Sequence, residues 1–349
     1  MKKFFMVLAA VAVAATSCVQ SDDDFAVKGP QKSVQFSLAN VISSRGVDAM
    51  IPVTTKVTLK DCQVFFVGSD DTLYSGMDVN GSAVSHYFAT APTAVQTFHF
   101  LPAAVEKVVV VGNYGTEITA TNLDDIKAIA TTWENQQDDE NLLVYGEAEL
   151  EPAAANDQHA NTYKANVNVK PLVARIEIGG FVCGFSDTPA YDEVKVTMVA
   201  LNNYYTDATI GGVVSNLSNA TINTKTAYPF FNATAPVGSK DVVSGVVLTK
   251  TTPSHNFDTD SYLVYHTFAG TVPQLVVRVT GVNGSVESPL YLATNGFKQE
   301  GVSVTEFKPG TIYRMNFAFA DTALAQPEKC VEVSIEAAEW VIVNVTPEF

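Results

Sequence analysis

The side chains that could do chemistry are few and scattered along the chain. The sequence contains no HExxH motif, no GxSxG elbow and no phosphate-binding Walker loop. No pair at a helical metal-binding spacing occurs among the five histidines, His86, His99, His159, His255 and His266. We therefore expect no catalytic residue, no metal site and no cofactor, and a protein that is not an enzyme.

One segment begins like a calcium-binding loop. Asn256, Asp258 and Asp260 place oxygen ligands at alternate positions, as the first half of an EF-hand loop does. Ser261 stands where that loop needs glycine, and Thr267 stands where it needs a bidentate glutamate. The pattern favours an acidic turn over a calcium site.

Cysteine chemistry beyond Cys18 is limited to Cys62, Cys183 and Cys330. No two cysteines form a CxxC pair, so the ligand set of a zinc site is missing. A disulfide between Cys183 and Cys330 is compatible with an exported protein. We predict instead that these thiols are free and buried.

The first residues have the order of an export signal. A positive start is followed by an apolar stretch, Phe4–Ala15, that is too short to span a membrane. Cys18 comes after two small residues and resembles the lipobox cysteine of bacterial lipoproteins, although Ala15 replaces the usual bulky residue. We predict a signal peptide over residues 1–17, a lipid such as palmitate on Cys18, and an acidic tether over residues 18–32.

The charge of the chain excludes some partners. It has 37 acidic and 21 basic residues, a formal net charge of −16. Loss of Lys2 and Lys3 with the signal peptide leaves 19 basic residues against 37 acidic ones, a net charge of −18. Such a surface repels phosphate backbones and anionic lipid headgroups. We expect no nucleic-acid partner, and contact with a membrane only through the lipid on Cys18.

A protease could enter the chain at Arg45-Gly46. Ser43, Ser44 and Asp48 flank this pair, and small polar residues make the exposed tips at which proteases cut. The alternative is a surface hairpin turn with no role in processing.

Most of the chain has the pattern of β-strands. Short β-branched and aromatic runs are bounded by Gly, Asn, Asp and Pro, which is typical of an all-β protein. Residues 33–41, SVQFSLANV, alternate Val34, Phe36 and Leu38 with polar neighbours. This alternation predicts the first strand.

One segment, Asn122–Gln137, has the periodicity of a helix. Asn122 has the side chain of an N-cap, and Asp124 and Asp125 would place negative charge in the first turn, where it suits the helix dipole. We predict one short helix that packs on a sheet and places Trp133 in the core.

Pro171 interrupts the apolar run VKPLVARIEI, and a central strand does not tolerate proline. We therefore predict a boundary near residues 169–172. Roughly equal halves rich in short strands lie on either side, which favours two β-sandwich domains, residues 33–170 and residues 171–349.

The chain closes on an unusual strand pattern. Val331, Val333 and Ile335 alternate with polar residues, and the run WVIVNV, from Trp340 to Val345, is apolar on both faces. A terminal strand of this kind is either buried in its own fold or needs a partner.

Together these features resemble the fimbrillins, the major subunits of lipoprotein-derived type V pili. The resemblance extends over the whole chain. It rests on the lipobox at Cys18, the Arg45-Gly46 pair after one strand, the two β-rich halves, the midpoint LVARIEI and the closing strand around Trp340.

The resemblance implies an all-β fold of two transthyretin-like β-sandwich domains. An arginine-specific protease would cut between Arg45 and Gly46, which would remove the first strand, residues 33–41, and open a hydrophobic groove. A C-terminal strand near residues 331–345 of another subunit would fill that groove. The implied donor residues are Val331, Val333, Ile335, Trp340, Ile342, Val343 and Val345.

The resemblance also implies partners and a location. The partners are other copies of the chain, accessory fimbrial subunits, the protease and a host or bacterial surface receptor. The precursor would be anchored to the outer membrane and the mature subunit would lie in a fimbrium on the cell surface.

Two alternatives stay open. A surface glycan-binding lipoprotein would need exposed aromatic side chains, whereas this chain has only two tryptophans, each with another expected role. A tip subunit would not need to donate a strand, and an anchor subunit would keep its lipid.

Overall fold

The computed structural model describes residues 30–39, 41–43, 56–153, 161–219, 239–258, 261–324, 330–339 and 341–344. Strands dominate this part of the chain and helices are few and short. The predicted all-β fold class is therefore confirmed.

Most strands up to Pro171 form two main sheets. The strands are β1 (Gln31–Leu38), β2 (Val41–Ser43), β3 (Lys56–Leu59), β4 (Cys62–Gly68), β5 (Leu73–Tyr74), β6 (Tyr87–Phe88), β7 (Gln96–Pro102), β8 (Val105–Gly112), β9 (Ala130–Thr132), β10 (Val144–Glu149), β11 (Glu151–Pro152), β12 (Thr162–Val167) and β13 (Lys170–Pro171). Strands β2, β3 and β9 belong to two small sheets. Of the two main sheets, one has the order β11-β12-β1-β7. The other has the order β13-β10-β8-β4-β5, with β6 paired to β4.

These two sheets pack face to face through aromatic side chains. The ring centroids of Phe66 on β4 and Phe98 on β7 lie 4.9 Å apart. Phe36 on β1 contacts Phe88 on β6, with centroids 6.2 Å apart. Alternate apolar residues of each strand therefore form the core between the sheets, as expected for a sandwich.

Most strands after Pro171 form a second pair of sheets. The strands are β14 (Val173–Gly184), β15 (Glu193–Asn202), β16 (Tyr204–Thr209), β17 (Val214–Ser218), β18 (Lys240–Thr249), β19 (Ser254–Asn256), β20 (Leu263–Phe268), β21 (Gln274–Asn283), β22 (Val286–Gln299), β23 (Val302–Ser303), β24 (Thr311–Ala320), β25 (Cys330–Ser334), β26 (Glu336–Glu339) and β27 (Val341–Asn344). Strands β16, β17 and β27 belong to the two small sheets. Of the second pair of sheets, one has the order β19-β14-β24-β26, with β20 paired to β14. The other has the order β18-β15-β21-β22-β23, with β25 paired to β22.

Contacts join these two sheets in turn, and two small sheets connect distant parts of the chain. The hydroxyl of Tyr265 on β20 donates a hydrogen bond to the carbonyl oxygen of Val199 on β15 at 3.3 Å. The first small sheet has the order β17-β16-β9 and the second has the order β2-β27-β3. Both therefore pair strands from distant parts of the sequence.

The helix prediction is right in its start and wrong in its length. Helix α1 spans Leu123–Lys127, with Asn122 as its N-cap and Asp125 completing a capping box. The chain then enters β9, which pairs with β16, because the β-branched Thr131 and Thr132 suit a strand once a partner edge is available. Trp133 is buried in the core, as predicted.

The other helical segments are minor. A 3₁₀ turn spans Glu134–Gln136 and helix α2 spans Asp321–Leu324. Within the described residues, no helix is long and apolar enough to cross a membrane.

The chain changes sheets where the boundary was predicted. Pro171 ends β13, where it pairs with Val144 of β10, and Val173 begins β14 in a different sheet. The break at Pro171 is confirmed, while the division into two domains stays a prediction.

Two of the cysteines, Cys62 and Cys183, are free. Cys62 and Cys183 are buried thiols, so the Cys183–Cys330 disulfide does not form. Burial, aided by the charge of Asp61, raises the pKa of Cys62 to about 12. Burial, aided by Asp321, raises the pKa of Cys183 to about 12. Both thiols are therefore protonated and unreactive at neutral pH.

Candidate functional site

The first strand lies in the middle of its sheet. Residues of β1 pair in parallel with β12, from Ser33 opposite Thr162 to Leu38 opposite Val167. On its other side β1 pairs antiparallel with β7. Removal of β1 would therefore leave two unpaired strand edges facing each other across a gap one strand wide.

The inward face of β1 completes the hydrophobic core. Val34 is 0% exposed and Phe36 is 1% exposed, and Leu38 packs against the same core. Phe36 lies against Phe88 and Phe98, with ring centroids 6.2 and 6.5 Å away. Without β1, these rings would form the apolar floor of a groove between β7 and β12.

Polar contacts hold the ends of β1. Ser33 Oγ lies 2.9 Å from His99 Nδ1, and Ser37 Oγ donates a hydrogen bond to Asn166 Oδ1 at 2.6 Å. The ammonium of Lys32 donates to the carbonyl oxygen of Val105 and lies 4.6 Å from the ring centroid of Tyr163. Burial outweighs the charge of Glu106 and lowers the pKa of Lys32.

The predicted processing site follows these elements. Strand β2 ends at Ser43, two residues before Arg45, and β3 begins at Lys56. Arg45, Gly46 and the lipidation residue Cys18 lie outside the described residues, so the structure does not test their roles. A cut after Arg45 would separate both β1 and β2 from the rest of the chain.

The predicted donor segment is not one strand. It is divided among β25, which pairs with β22, β26, which pairs with β24, and β27, which lies between β2 and β3. Val333 is 1% exposed and Ile335 is 4% exposed, and both belong to the core. Trp340 and Val345 lie outside the described residues.

This arrangement changes which donor residues are available. Val331 and Val333 lie on β25, which pairs with β22 in one of the two larger C-terminal sheets. Donating them to another subunit would therefore disrupt that sheet. Ile342 and Val343 belong to β27, which pairs with no strand of the two larger C-terminal sheets.

A second constellation, which the sequence interpretation missed, joins distant parts of the fold. Trp133 Nε1 donates a hydrogen bond to the carbonyl oxygen of His266 at 2.7 Å, and its ring centroid lies 4.7 Å from that of Tyr204. His266 Nδ1 lies 2.7 Å from the carbonyl oxygen of Gln136. The segment around Trp133 is thereby fixed to the sheet that contains β20.

Buried charges surround these contacts. The guanidinium of Arg175, whose side chain is 2% exposed, bonds to Glu177 Oε1 at 2.7 Å and to Asp139. Asp139 Oδ1 also lies 3.1 Å from His266 Nε2, and Arg314 pairs with Glu177. Paired carboxylates and cations satisfy one another here, which buried charges require.

The charges set the ionisation of Asp139. Burial raises its pKa, but the hydrogen bond to His266 and the charges of His266 and Arg175 outweigh burial and hold the pKa below its usual range. A lowered pKa in the folded state means that the ionised carboxylate stabilises the fold at neutral pH.

We expect Asp139→Asn to lower the free energy of unfolding by about 1–3 kcal/mol at neutral pH, because Arg175 and His266 lose a charged partner. The loss should shrink as the pH falls through the lowered pKa of Asp139, since the wild type then also loses the carboxylate. Melting temperatures of both proteins from pH 7 to about pH 3 test this. The fully exposed Asp187 offers a control, Asp187→Asn, with no effect. A difference that stays constant down to the lowest pH contradicts the assignment.

One sequence signal could have revealed this constellation. Arg175 and Glu177 stand two residues apart in β14, within an otherwise apolar run, and both are buried. Opposite charges on one face of a buried strand indicate a specific partner.

The sequence matches no protein-family model and no curated protein. The structure is similar to a candidate cell adhesion protein from Bacteroides eggerthii, 15% identical, with a TM-score of 0.57 over 90% of this chain and 97% of the other. A candidate cell adhesion protein from Parabacteroides distasonis is 13% identical, with a TM-score of 0.52 over 92% of this chain and 99% of the other. A fimbrilin from Porphyromonas gingivalis is 14% identical, with a TM-score of 0.49 over 90% of this chain and 99% of its own.

The first two similarities define the fold of this chain. It is the all-β fold of these cell adhesion proteins, over nearly the whole length of both chains. The all-β fold that the resemblance implies is therefore confirmed.

Proposed function

We propose that this chain is the major stalk subunit of a cell-surface fimbria. It is exported as an outer-membrane lipoprotein, cut after Arg45 and polymerised by donor-strand exchange. The observation that supports this most is the position of β1, a central core strand that lies upstream of Arg45. The role is structural and needs neither a catalytic residue nor a cofactor.

The energetics favour exchange over an open groove. Loss of β1 exposes the sites of Val34 and Phe36, each worth about 1.5–3 kcal/mol of apolar burial. It also leaves the ladders of β7 and β12 unpaired. A strand from another copy restores both the ladder bonds and the side-chain contacts, which is the mode of strand addition used in pilus assembly. The free energy gained by the inserted strand must exceed the cost of the translational and rotational freedom that is lost on association.

The lipid fits the same scheme. Cys18 lies upstream of Arg45, so one cut would release the subunit from its membrane anchor and open the groove. The lipid would then be a temporary attachment that serves export and not the mature fimbria.

We expect Cys18→Ala to prevent lipid attachment, because the lipobox thiol is the only acceptor in the scheme. Cells grown with a radioactive fatty acid should label the wild-type precursor and leave the variant unlabelled. Ser17→Ala keeps the cysteine and should still label. Label on the Cys18→Ala precursor contradicts the lipoprotein assignment.

We expect subunits from sheared wild-type fimbriae to begin at Gly46. Arg45→Ala and Arg45→Lys should both accumulate uncut precursor and abolish fibres, because an arginine-specific protease accepts neither residue. N-terminal sequencing and electron microscopy check these outcomes. Lys28→Ala removes a basic residue on the same side of the cut and should be processed normally. Normal fibres from Arg45→Lys overturn the processing step.

A further inference from the structure

A polar cleft of about 430 Å³ lies between the turn after β8 and the segment that connects β9 to β10. Its volume is within the range of small-molecule binding pockets. Amide and carboxylate side chains form much of its lining, and they are Asn113, Glu134, Asn135, Gln136, Asp138 and Asn141. The cleft is separate from the groove under β1, since no residue of β1, β7 or β12 lines it.

The cleft also contains an exposed aromatic side chain, Tyr114. Its exposed fraction is 41%, and in the described part of the chain it is the one aromatic residue among the exposed large apolar side chains. An aromatic ring has a negative face, on which the apolar C–H groups of a sugar ring can pack. The hydroxyl groups of the same sugar need hydrogen-bond partners, which the polar lining supplies.

The turn that carries Tyr114 is fixed on both sides. Asn113 and Gly115 have left-handed backbone conformations, with φ of 61° and 83°. Asn113 Nδ2 donates a hydrogen bond to the carbonyl oxygen of Leu142 at 2.8 Å, and the N–H of Gly115 donates to Asp61 Oδ1 at 3.3 Å. The position of Tyr114 is therefore set before any ligand arrives, which lowers the entropy cost of binding.

The opposite wall of the cleft is the 3₁₀ turn after β9. Gln136 is 3% exposed, and its side chain accepts a hydrogen bond from the N–H of Leu143 at 2.9 Å and donates one to Thr131 Oγ1 at 3.2 Å. Beside it, Glu134 and Asn135 are exposed, and within the described residues their side chains make no hydrogen bond or ion pair. These two side chains are therefore free to bind a ligand.

The charge of the cleft selects the kind of ligand. Glu134 and Asp138 place two carboxylates in the lining. The nearby ammonium of Lys60 lies 3.4 Å from Glu140 Oε2, so it pairs with a different carboxylate. Carboxylates accept hydrogen bonds from hydroxyl groups and repel other anions. The cleft therefore favours a neutral ligand that is rich in hydroxyl groups.

We propose that this cleft binds a neutral saccharide, with one sugar ring packed on Tyr114 and its hydroxyl groups bonded to Glu134, Asn135 and Asp138. The ligand is a hexose or N-acetylhexosamine unit, which host glycoproteins and bacterial polysaccharides both present. The inference goes beyond the stalk function and does not depend on polymerisation, because a single chain carries the whole cleft.

A glycan array tests the inference on the full chain, purified in a detergent that carries no sugar. The array displays neutral host glycans, neutral bacterial polysaccharides, and sialylated and sulfated forms of the same host glycans. Neutral glycans should bind, and the two neutral sets show which source supplies the ligand. Sialic acid or sulfate on the terminal sugar should weaken binding by about tenfold or more, because the cleft is acidic.

Variants of the lining make the test specific. Tyr114→Ala should weaken binding by about tenfold or more, whereas Tyr114→Phe keeps the ring and should bind like the wild type. Glu134→Ala should weaken binding by about tenfold, because a carboxylate is a strong acceptor. Leu217→Ala changes an exposed apolar residue outside the cleft and should bind normally. Melting temperatures equal to that of the wild type show that the variants are folded.

Three results would overturn the inference. They are a wild-type chain that binds no glycan, a wild-type chain that binds sialylated or sulfated glycans more tightly than neutral ones, and a Tyr114→Ala chain that binds like the wild type. None of them contradicts the fimbrial function, which is tested by fibre formation.

Discussion

We expect Trp133→Ala to cause a large loss of stability. The side chain is 1% exposed, its ring packs against Tyr204, and its N–H satisfies the buried carbonyl oxygen of His266. Truncation of a buried tryptophan costs about 3–5 kcal/mol. The carbonyl left without a donor adds about 1–3 kcal/mol. Thermal melting followed by circular dichroism measures the effect, which should lower the melting temperature by roughly 10 °C or more.

Two variants make this prediction specific. Trp133→Phe keeps most of the ring and loses only the N–H donor, so it should recover more than half of the loss. Tyr114→Ala removes an aromatic side chain that is 41% exposed and should change the melting temperature little. If Trp133→Ala and Tyr114→Ala have the same melting temperature, the contacts of Trp133 with His266 and Tyr204 do not stabilise the fold.

Deletion of residues 340–349 should abolish fibre formation and leave a folded, secreted chain. The deletion removes β27 but keeps β25 and β26, so Val333 and Ile335 remain in the core. The two larger C-terminal sheets lose no strand. Electron microscopy of cells and the melting temperature of the purified chain provide the two readouts.

The rival interpretation treats the tail as ordinary core. In that case the deletion would lower the melting temperature steeply and expose the C-terminal part of the chain to proteolysis. A longer deletion, of residues 330–349, removes Val333 and Ile335 as well and should show that behaviour under either interpretation. Val286→Asp replaces an exposed apolar residue on β22 and should affect neither readout.

Local sequence patterns predicted the elements that depend on local interactions. The alternation of Val34, Phe36 and Leu38 marks β1, because one face of a strand must be apolar to reach a core. Asn122 and Asp125 mark the start of α1, because their side chains satisfy backbone N–H groups of the first turn. Pro171 marks a change of sheet, because it lacks a ladder donor.

Local patterns did not predict the contacts between segments that are distant in the sequence. The periodicity after Asn122 continues past Lys127, but the chain turns into β9 because β16 offers it an edge. The C-terminal pattern suggested one long strand, whereas successive pieces join three different sheets. Nothing local to Val341–Asn344 indicates that its partners lie in the N-terminal part of the chain, at Val41–Ser43 and Lys56–Leu59.

For the candidate site, too, the sequence predicted the local elements and did not predict the contacts between distant residues. The alternation predicted the strand β1, which lies in the middle of its sheet. Turn composition indicated the Arg45-Gly46 pair, and the removal of β1 is implied only by the resemblance. The buried charges of Arg175, Asp139 and His266 come from three elements that only folding brings together. Their contacts join parts of the fold that are distant in the sequence.

Immunogold electron microscopy of intact cells, with an antibody to this chain, tests the central claim most directly. A stalk subunit should be labelled along the whole length of surface fibres, and cells carrying Arg45→Lys should show label at the cell envelope without fibres. Label confined to fibre tips or bases, or fibres that carry no label at all, would contradict the claim that this chain builds the stalk.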